Sequence, residues 1–149
     1  MIKLVASDLD GTLLHNYQQT VPKEIYDTIK ALHEKGIIFT AASGRQYANI
    51  RRLFAPLGFD IPYIAENGSL CIHKEEILAT GLTPSKTIRH ILDALMEYRK
   101  IYHTGHCILS VKDTYYSDST DERFIDYMEN DMHNIVTYVP DLYAIKEPI

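Results

Sequence analysis

Two aspartates stand two positions apart in Ser7-Asp8-Leu9-Asp10-Gly11-Thr12, directly behind the apolar run 2–7. Side chains at i and i+2 of an extended segment point the same way, so Asp8 and Asp10 converge if strand geometry persists through Leu9. Adjacent carboxylates repel, and each needs a cation or a proton. Mg²⁺ suits such a pair, being a hard ion that takes one or two carboxylates plus substrate phosphate. One carboxylate can attack phosphorus and form an aspartyl-phosphate, with a metal offsetting the anion–anion repulsion. A second can protonate the leaving oxygen, then deprotonate the hydrolytic water. The competing reading is a polar turn after a strand, where Gly11 permits the bend and Thr12 adds a hydroxyl. A calcium loop also opens Asp-x-Asp-Gly, but its twelfth position counted from Asp8 is Gln19 rather than Glu.

A second candidate is Ala42-Ser43-Gly44-Arg45. Ser43 offers a small hydroxyl at a strand end, just before a helix, where hydroxyl and backbone N–H groups hold an anion. Ser-Gly after a strand is also an ordinary turn, and Arg45 either reaches the same anion or is solvated. Position adds weight to the anion reading, since ligands of open parallel sheets bind outside the carboxyl ends of the strands.

The elements that must position these residues alternate. The runs 2–7, 36–43 and 61–67 read as short strands, the first two of the type buried on both faces. Between them, residues 20–35 carry Ile25, Ile29 and Leu32 at helical spacing, with Pro22 near the start and Gly36 after the end. Residues 46–57 carry Tyr47, Ile50, Phe54 and Leu57 on one stripe. Alternation of this kind implies parallel strands joined by right-handed crossovers. Residues 69–80 then read as a hairpin turning near Lys74-Glu75-Glu76. After Gly81 the pattern changes to α+β. A long helix has Thr83 as N-cap, Pro84 as first residue and a stripe of Ile88, Ile91, Leu92 and Leu95. One or two strands are expected over 107–117. A helix follows that is opened by a Ser119/Glu122 capping box, then a strand over 134–140. The expected division is 1–81 and 82–149.

Composition bounds the partners. The 149 residues carry a formal charge of −5, with 46% hydrophobic and 23% charged residues. This suits a packed, ordered chain and offers no basic face for nucleic acid. No apolar run approaches the roughly 20 residues of a membrane span, and 1–8 turns polar too early for a signal peptide. Cys71 and Cys107 are too few for a disulfide framework and read as small buried hydrophobes. A cytoplasmic location is expected. His103 and His106 lack a further placed ligand and read as surface residues. Tyr98, Tyr102 and the tyrosines of 113–116 read mostly as packing.

Asp8-Leu9-Asp10-Gly11-Thr12, followed by Thr40-Ala41-Ala42-Ser43-Gly44-Arg45 and Ile64-Ala65-Glu66-Asn67-Gly68-Ser69, resembles the haloacid dehalogenase superfamily of phosphohydrolases, and its Cof-like branch in particular. The resemblance covers 1–81, and 82–149 is similar to the start of that branch's cap. It implies an α/β fold, a partial Rossmannoid parallel sheet with an inserted α+β cap segment. It implies that Asp8 is nucleophile and Mg²⁺ ligand, and that Asp10 is general acid/base with its carbonyl on the metal. The Leu9 backbone, Ser43 and Gly44 would bind the phosphoryl group. Thr12 and Asn67 would support the site, and Arg45 is a candidate substrate contact. The implied substrate is a small phosphorylated metabolite, a sugar phosphate or a nucleotide. Two alternatives are an incomplete chain that binds without turnover, and a phosphomutase or sugar-phosphate phosphatase relative.

Family members continue with a phosphate-binding lysine and a Gly-Asp-x-x-Asn-Asp motif. The dipeptide Gly-Asp occurs nowhere here, and residues 126–131 (Asp-Tyr-Met-Glu-Asn-Asp) read instead as a solvated helix face. A chain truncated within or just after the cap is therefore expected, with apolar surface left open on 2–7. Self-association through that sheet edge follows as an expectation.

Overall fold

The computed structural model describes residues 1–15, 18–111 and 113–149. The chain divides into two compact units, Met1–Gly81 and Leu82–Ile149.

The first unit is built on a five-stranded sheet in the order β1-β2-β3-β4-β5. Strands β1 (Leu4–Asp8), β2 (Ile38–Ala42) and β3 (Tyr63–Ala65) run parallel, with Leu4 opposite Ile38 and Asp8 opposite Ala42. Helices α1 (Lys23–Glu34) and α2 (Tyr47–Phe54) make the crossovers. Strands β4 (Leu70–His73) and β5 (Glu76–Thr80) add antiparallel, turning at Lys74 and Glu75, both at positive φ. The core gathers Ile29, Phe39, Ala41, Ile50, Leu53, Phe54 and Tyr63 into one cluster. The Tyr26 hydroxyl donates to the Leu53 carbonyl at 2.6 Å and ties α1 to α2. Fully burying each large apolar side chain contributes about 1.5–3 kcal/mol.

The outer strand corrects one expectation. Strand β1 is not buried on both faces: Leu4 is 54% exposed and the Ile38 opposite it 49%. Along β1 exposed Leu4, Ala6 and Asp8 alternate with half-buried Val5 and Ser7, so one face is open; among the described residues nothing pairs with the strand's outer edge. Helix α1 also starts at Lys23 rather than residue 20. Proline fixes its own φ and disfavours helix in the residue before it, and Pro22 is the N-cap.

The second unit carries a three-stranded sheet in the order β6-β7-β8. Strands β6 (Leu109–Val111) and β7 (Thr114–Ser117) are antiparallel, and β8 (Val136–Tyr138) runs parallel to β7. Helix α3 (Ser85–Tyr102) places Leu92 in a core with Leu109 and Leu142, flanked by Ile88 and Leu95. The N-cap of α3 is Pro84, one residue later than expected, and no side chain caps it.

Helix α4 (Glu122–Asp126) departs from the Ser119/Glu122 capping box. Its N-cap is Asp121, whose Oδ1 accepts from the Arg123 and Phe124 N–H groups. The Ser119 hydroxyl is taken by His106 Nδ1 at 3.0 Å and the Asp121 N–H at 3.2 Å. Residues Tyr127–Asp131 widen into a π-turn, which buries Met128 and leaves Glu129, Asn130 and Asp131 exposed. No helix among the described residues is long and apolar enough to cross a membrane.

Candidate functional site

Strand β1 ends at Asp8, and Leu9 opens a turn. Asp8 is exposed, Leu9 is fully buried and Asp10 is exposed again. Both carboxylates are therefore open to solvent, while Leu9 anchors the loop in the core. The Leu9 carbonyl accepts three backbone N–H groups, from Thr12 at 3.1 Å, Leu13 at 2.9 Å and Leu14 at 2.8 Å. The Gly11 N–H returns to the Leu14 carbonyl at 2.7 Å. Gly11 sits at φ +83°, where a side chain would be strained. Thr12 is exposed on this loop.

The neighbouring parallel strand brings Ser43 to the same end of the sheet. Ser43 is 7% exposed, and its hydroxyl accepts from the Arg45 N–H at 3.1 Å, closing a local turn before α2. Gly44 leaves room for Asn67: a Cβ there would lie 2.7 Å from Asn67 Oδ1. Asn67 has φ +55°, a conformation asparagine tolerates better than most residues. Its N–H donates to the Ser43 carbonyl at 3.2 Å, and the Glu66 N–H donates to the Arg45 carbonyl at 3.2 Å. The tip of β3 is thereby clipped to the tip of β2, and Asn67 supports the Ser43 turn from below.

Arg45 is turned toward Asp10. Its Nε donates to Asp10 Oδ2 at 2.9 Å and its Nη2 to Asp10 Oδ1 at 2.6 Å. Nη1 donates to Gln19 Oε1 at 3.0 Å and to Asn49 Oδ1 at 3.3 Å. The Arg45 side chain is 7% exposed and that of Asp10 is 51% exposed. Gln19 and Asn49 were invisible as site residues in the sequence. The available signal was Asn49 standing one helical turn after Arg45, at i+4.

The sequence's other candidates lie in the second unit. His103 ends α3 at φ +52°. His106 stacks on Phe124 with ring centroids 4.3 Å apart and bonds Ser119. Among the described residues no three His, Cys, Asp or Glu side chains gather as a metal cluster. Tyr98 and Tyr102 contact each other, with centroids 4.6 Å apart, and are exposed. Burial pushes the Cys107 thiol above its ordinary pKa.

The model of the haloacid dehalogenase-like hydrolases matches residues 5–149. The chain belongs to this family. The haloacid dehalogenase-like chain is 38% identical over 77 residues to phosphoglycolate phosphatase 1 of Saccharolobus solfataricus, covering 51% of itself and 34% of that protein. It is 32% identical over 112 residues to the 5-amino-6-(5-phospho-D-ribitylamino)uracil phosphatase of Bacillus subtilis, covering 72% of itself and 38% of that protein. Among solved structures, a haloacid dehalogenase-like hydrolase from B. subtilis superposes with TM-score 0.78 at 20% identity, over 99% of this chain and 58% of that one. A subclass IIB sugar phosphatase of the same superfamily gives 0.73 at 25% identity, over 99% and 56%. The chain thus spans little more than a third of these curated relatives and just over half of the solved structures.

Proposed function

We propose that this chain carries the nucleophile and the acid–base group of a Mg²⁺-dependent phosphomonoester hydrolase acting on small phosphorylated metabolites. The observation that carries the proposal is the paired exposure of Asp8 and Asp10 at the carboxyl end of β1, beside Ser43 at the end of β2. The relatives' names, which include phosphoglycolate, phosphoribityl and sugar phosphatases, support the substrate class.

In the first half-reaction an Asp8 carboxylate oxygen attacks phosphorus. The bond from phosphorus to the leaving oxygen breaks, and Asp10 in its acid form gives that oxygen a proton. In the second, Asp10 takes a proton from water, whose oxygen attacks phosphorus. The phosphorus–Asp8 bond breaks, releasing inorganic phosphate and restoring both carboxyl groups. The Ser43 hydroxyl and the main chain of Leu9 and Gly44 are the groups proposed to hold the phosphoryl oxygens.

The donor set fits Mg²⁺. The Asp8 carboxylate and the Asp10 main-chain carbonyl are hard oxygens, and Mg²⁺ is commonly held by one or two protein ligands with phosphate and water completing the shell. Arg45 occupies the Asp10 carboxylate, so the main-chain carbonyl is the Asp10 oxygen proposed for the ion. When bound, the ion supplies neutralisation of the charge between nucleophile and phosphate.

The test is hydrolysis of p-nitrophenyl phosphate with Mg²⁺ by the wild-type chain and Asp8→Asn. Release of phosphate by the wild type alone, with label trapped on Asp8, is the expected result. Equal activity of the two would refute the assignment, and equal inactivity would leave a chain that binds without turnover.

A further inference from the structure

We infer that Arg45 is a positioning residue, fixing the Asp10 carboxylate in the orientation from which it exchanges its proton. The inference rests on the acid–base reading of Asp10 proposed above. Three observations carry it. The guanidinium meets both Asp10 oxygens at once, at 2.6 Å and 2.9 Å, and this fork-to-carboxylate geometry fixes direction as well as distance. The guanidinium is itself fixed, since its remaining nitrogen donates to Gln19 and to Asn49, a residue only 1% exposed. Finally, the Arg45 backbone joins the other parts of the site, its N–H to the Ser43 hydroxyl and its carbonyl to the Glu66 N–H. One residue thus registers the tips of β1, β2 and β3 against each other. An arginine held only for solubility would not bury its side chain to 7% exposure against four acceptors on three residues.

The fork meets both carboxylate oxygens together and so fixes which way the Asp10 carboxyl group faces. Lysine, a point charge with one ammonium, cannot hold both oxygens in this way.

The experiment compares Arg45→Met and Arg45→Lys with wild type on two substrates. In p-nitrophenyl phosphate the nitrophenolate departs without a proton; in 2-phosphoglycolate the alkoxide needs one. kcat/KM reports the first half-reaction, which includes that departure. The expected loss is about 100-fold on 2-phosphoglycolate, the lower range for general acid catalysis, and at least tenfold smaller on p-nitrophenyl phosphate. Lysine should rescue neither ratio. Equal losses on both substrates would mean that Arg45 only braces the loop, and would overturn the inference. Side-chain NMR couplings of Asp10 in the full chain give a second reading: one χ1 rotamer in wild type, averaging in Arg45→Met. Retention of a single rotamer in the variant would overturn the inference by itself. Should wild type turn over neither substrate, the acid–base reading falls, and the rotamer result still decides whether Arg45 positions Asp10.

Discussion

Asp118→Asn in the second unit is expected to cost about 2 kcal/mol at neutral pH, between a surface pair and a broken buried one. Arg99 donates to both Asp118 oxygens, from Nη2 at 2.9 Å and Nη1 at 2.5 Å, and its Nε donates to the Gly105 carbonyl at 2.9 Å. The side chains are 10% exposed for Asp118 and 23% for Arg99, so solvent screens the pair only partly. An amide keeps one acceptor but loses the charge and the second bond, and leaves a half-buried guanidinium underpaired. For a unit of this size the loss lowers the unfolding midpoint by about 8–16 °C. The pH dependence has a definite sign. The Arg99 hydrogen bond, partly opposed by desolvation, holds the Asp118 carboxyl below its ordinary range. A group depressed on folding stabilises above its unfolded value, about 3.9, and that stabilisation fades as pH falls through the folded value. The gap between wild type and variant should be full at neutral pH and narrow below pH about 4. Hydrogen exchange at the amides of β6 and β7 under mild urea reads the stability of this unit directly. A gap under about 0.5 kcal/mol at neutral pH, or one that persists undiminished at pH about 2, would refute the reasoning.

Two further outcomes concern the first unit. Phe54→Ala should destabilise it by about 3–5 kcal/mol in urea titrations, because Phe54 is 1% exposed and rings against Phe39 and Tyr63. Asn67→Gly should be close to neutral and Asn67→Ala should cost about 1 kcal/mol, since φ +55° is open to glycine and strained for alanine; the two denaturation midpoints should separate in that order.

The parallel frame was legible because apolar runs and 3.6-residue stripes report burial directly, as Ile50 and Phe54 on α2 show. The exposure of Leu4 was not legible in strand 2–7 itself, because it depends on what covers that face of the sheet, and Ile38 opposite it on the doubly paired β2 is open as well. The cap of α4 was misassigned because Ser119 and Asp121 both have capping side chains, and the choice turned on His106, which claims the Ser119 hydroxyl from 13 positions away. At the site, the i, i+2 spacing singled out Asp8 and Asp10 as a pair, and both are exposed. It gave no hint that Arg45, 35 positions later, would hold Asp10. By its position in the sequence Arg45 is either solvated or an anion or substrate contact, and only the packed arrangement of β1, β2 and α2 brings its fork to the carboxylate.

The triply bonded carbonyl of Leu9 has an electronic consequence for the loop. That carbonyl shares a peptide plane with the Asp10 N–H, which in a trans peptide points the opposite way. Donors drawing on a carbonyl oxygen polarise the whole peptide group and leave its amide hydrogen more positive. The turn is thus a small oriented dipole, wired by main-chain atoms alone, and substitutions at Thr12 or Leu13 that keep the fold would leave its polarity intact.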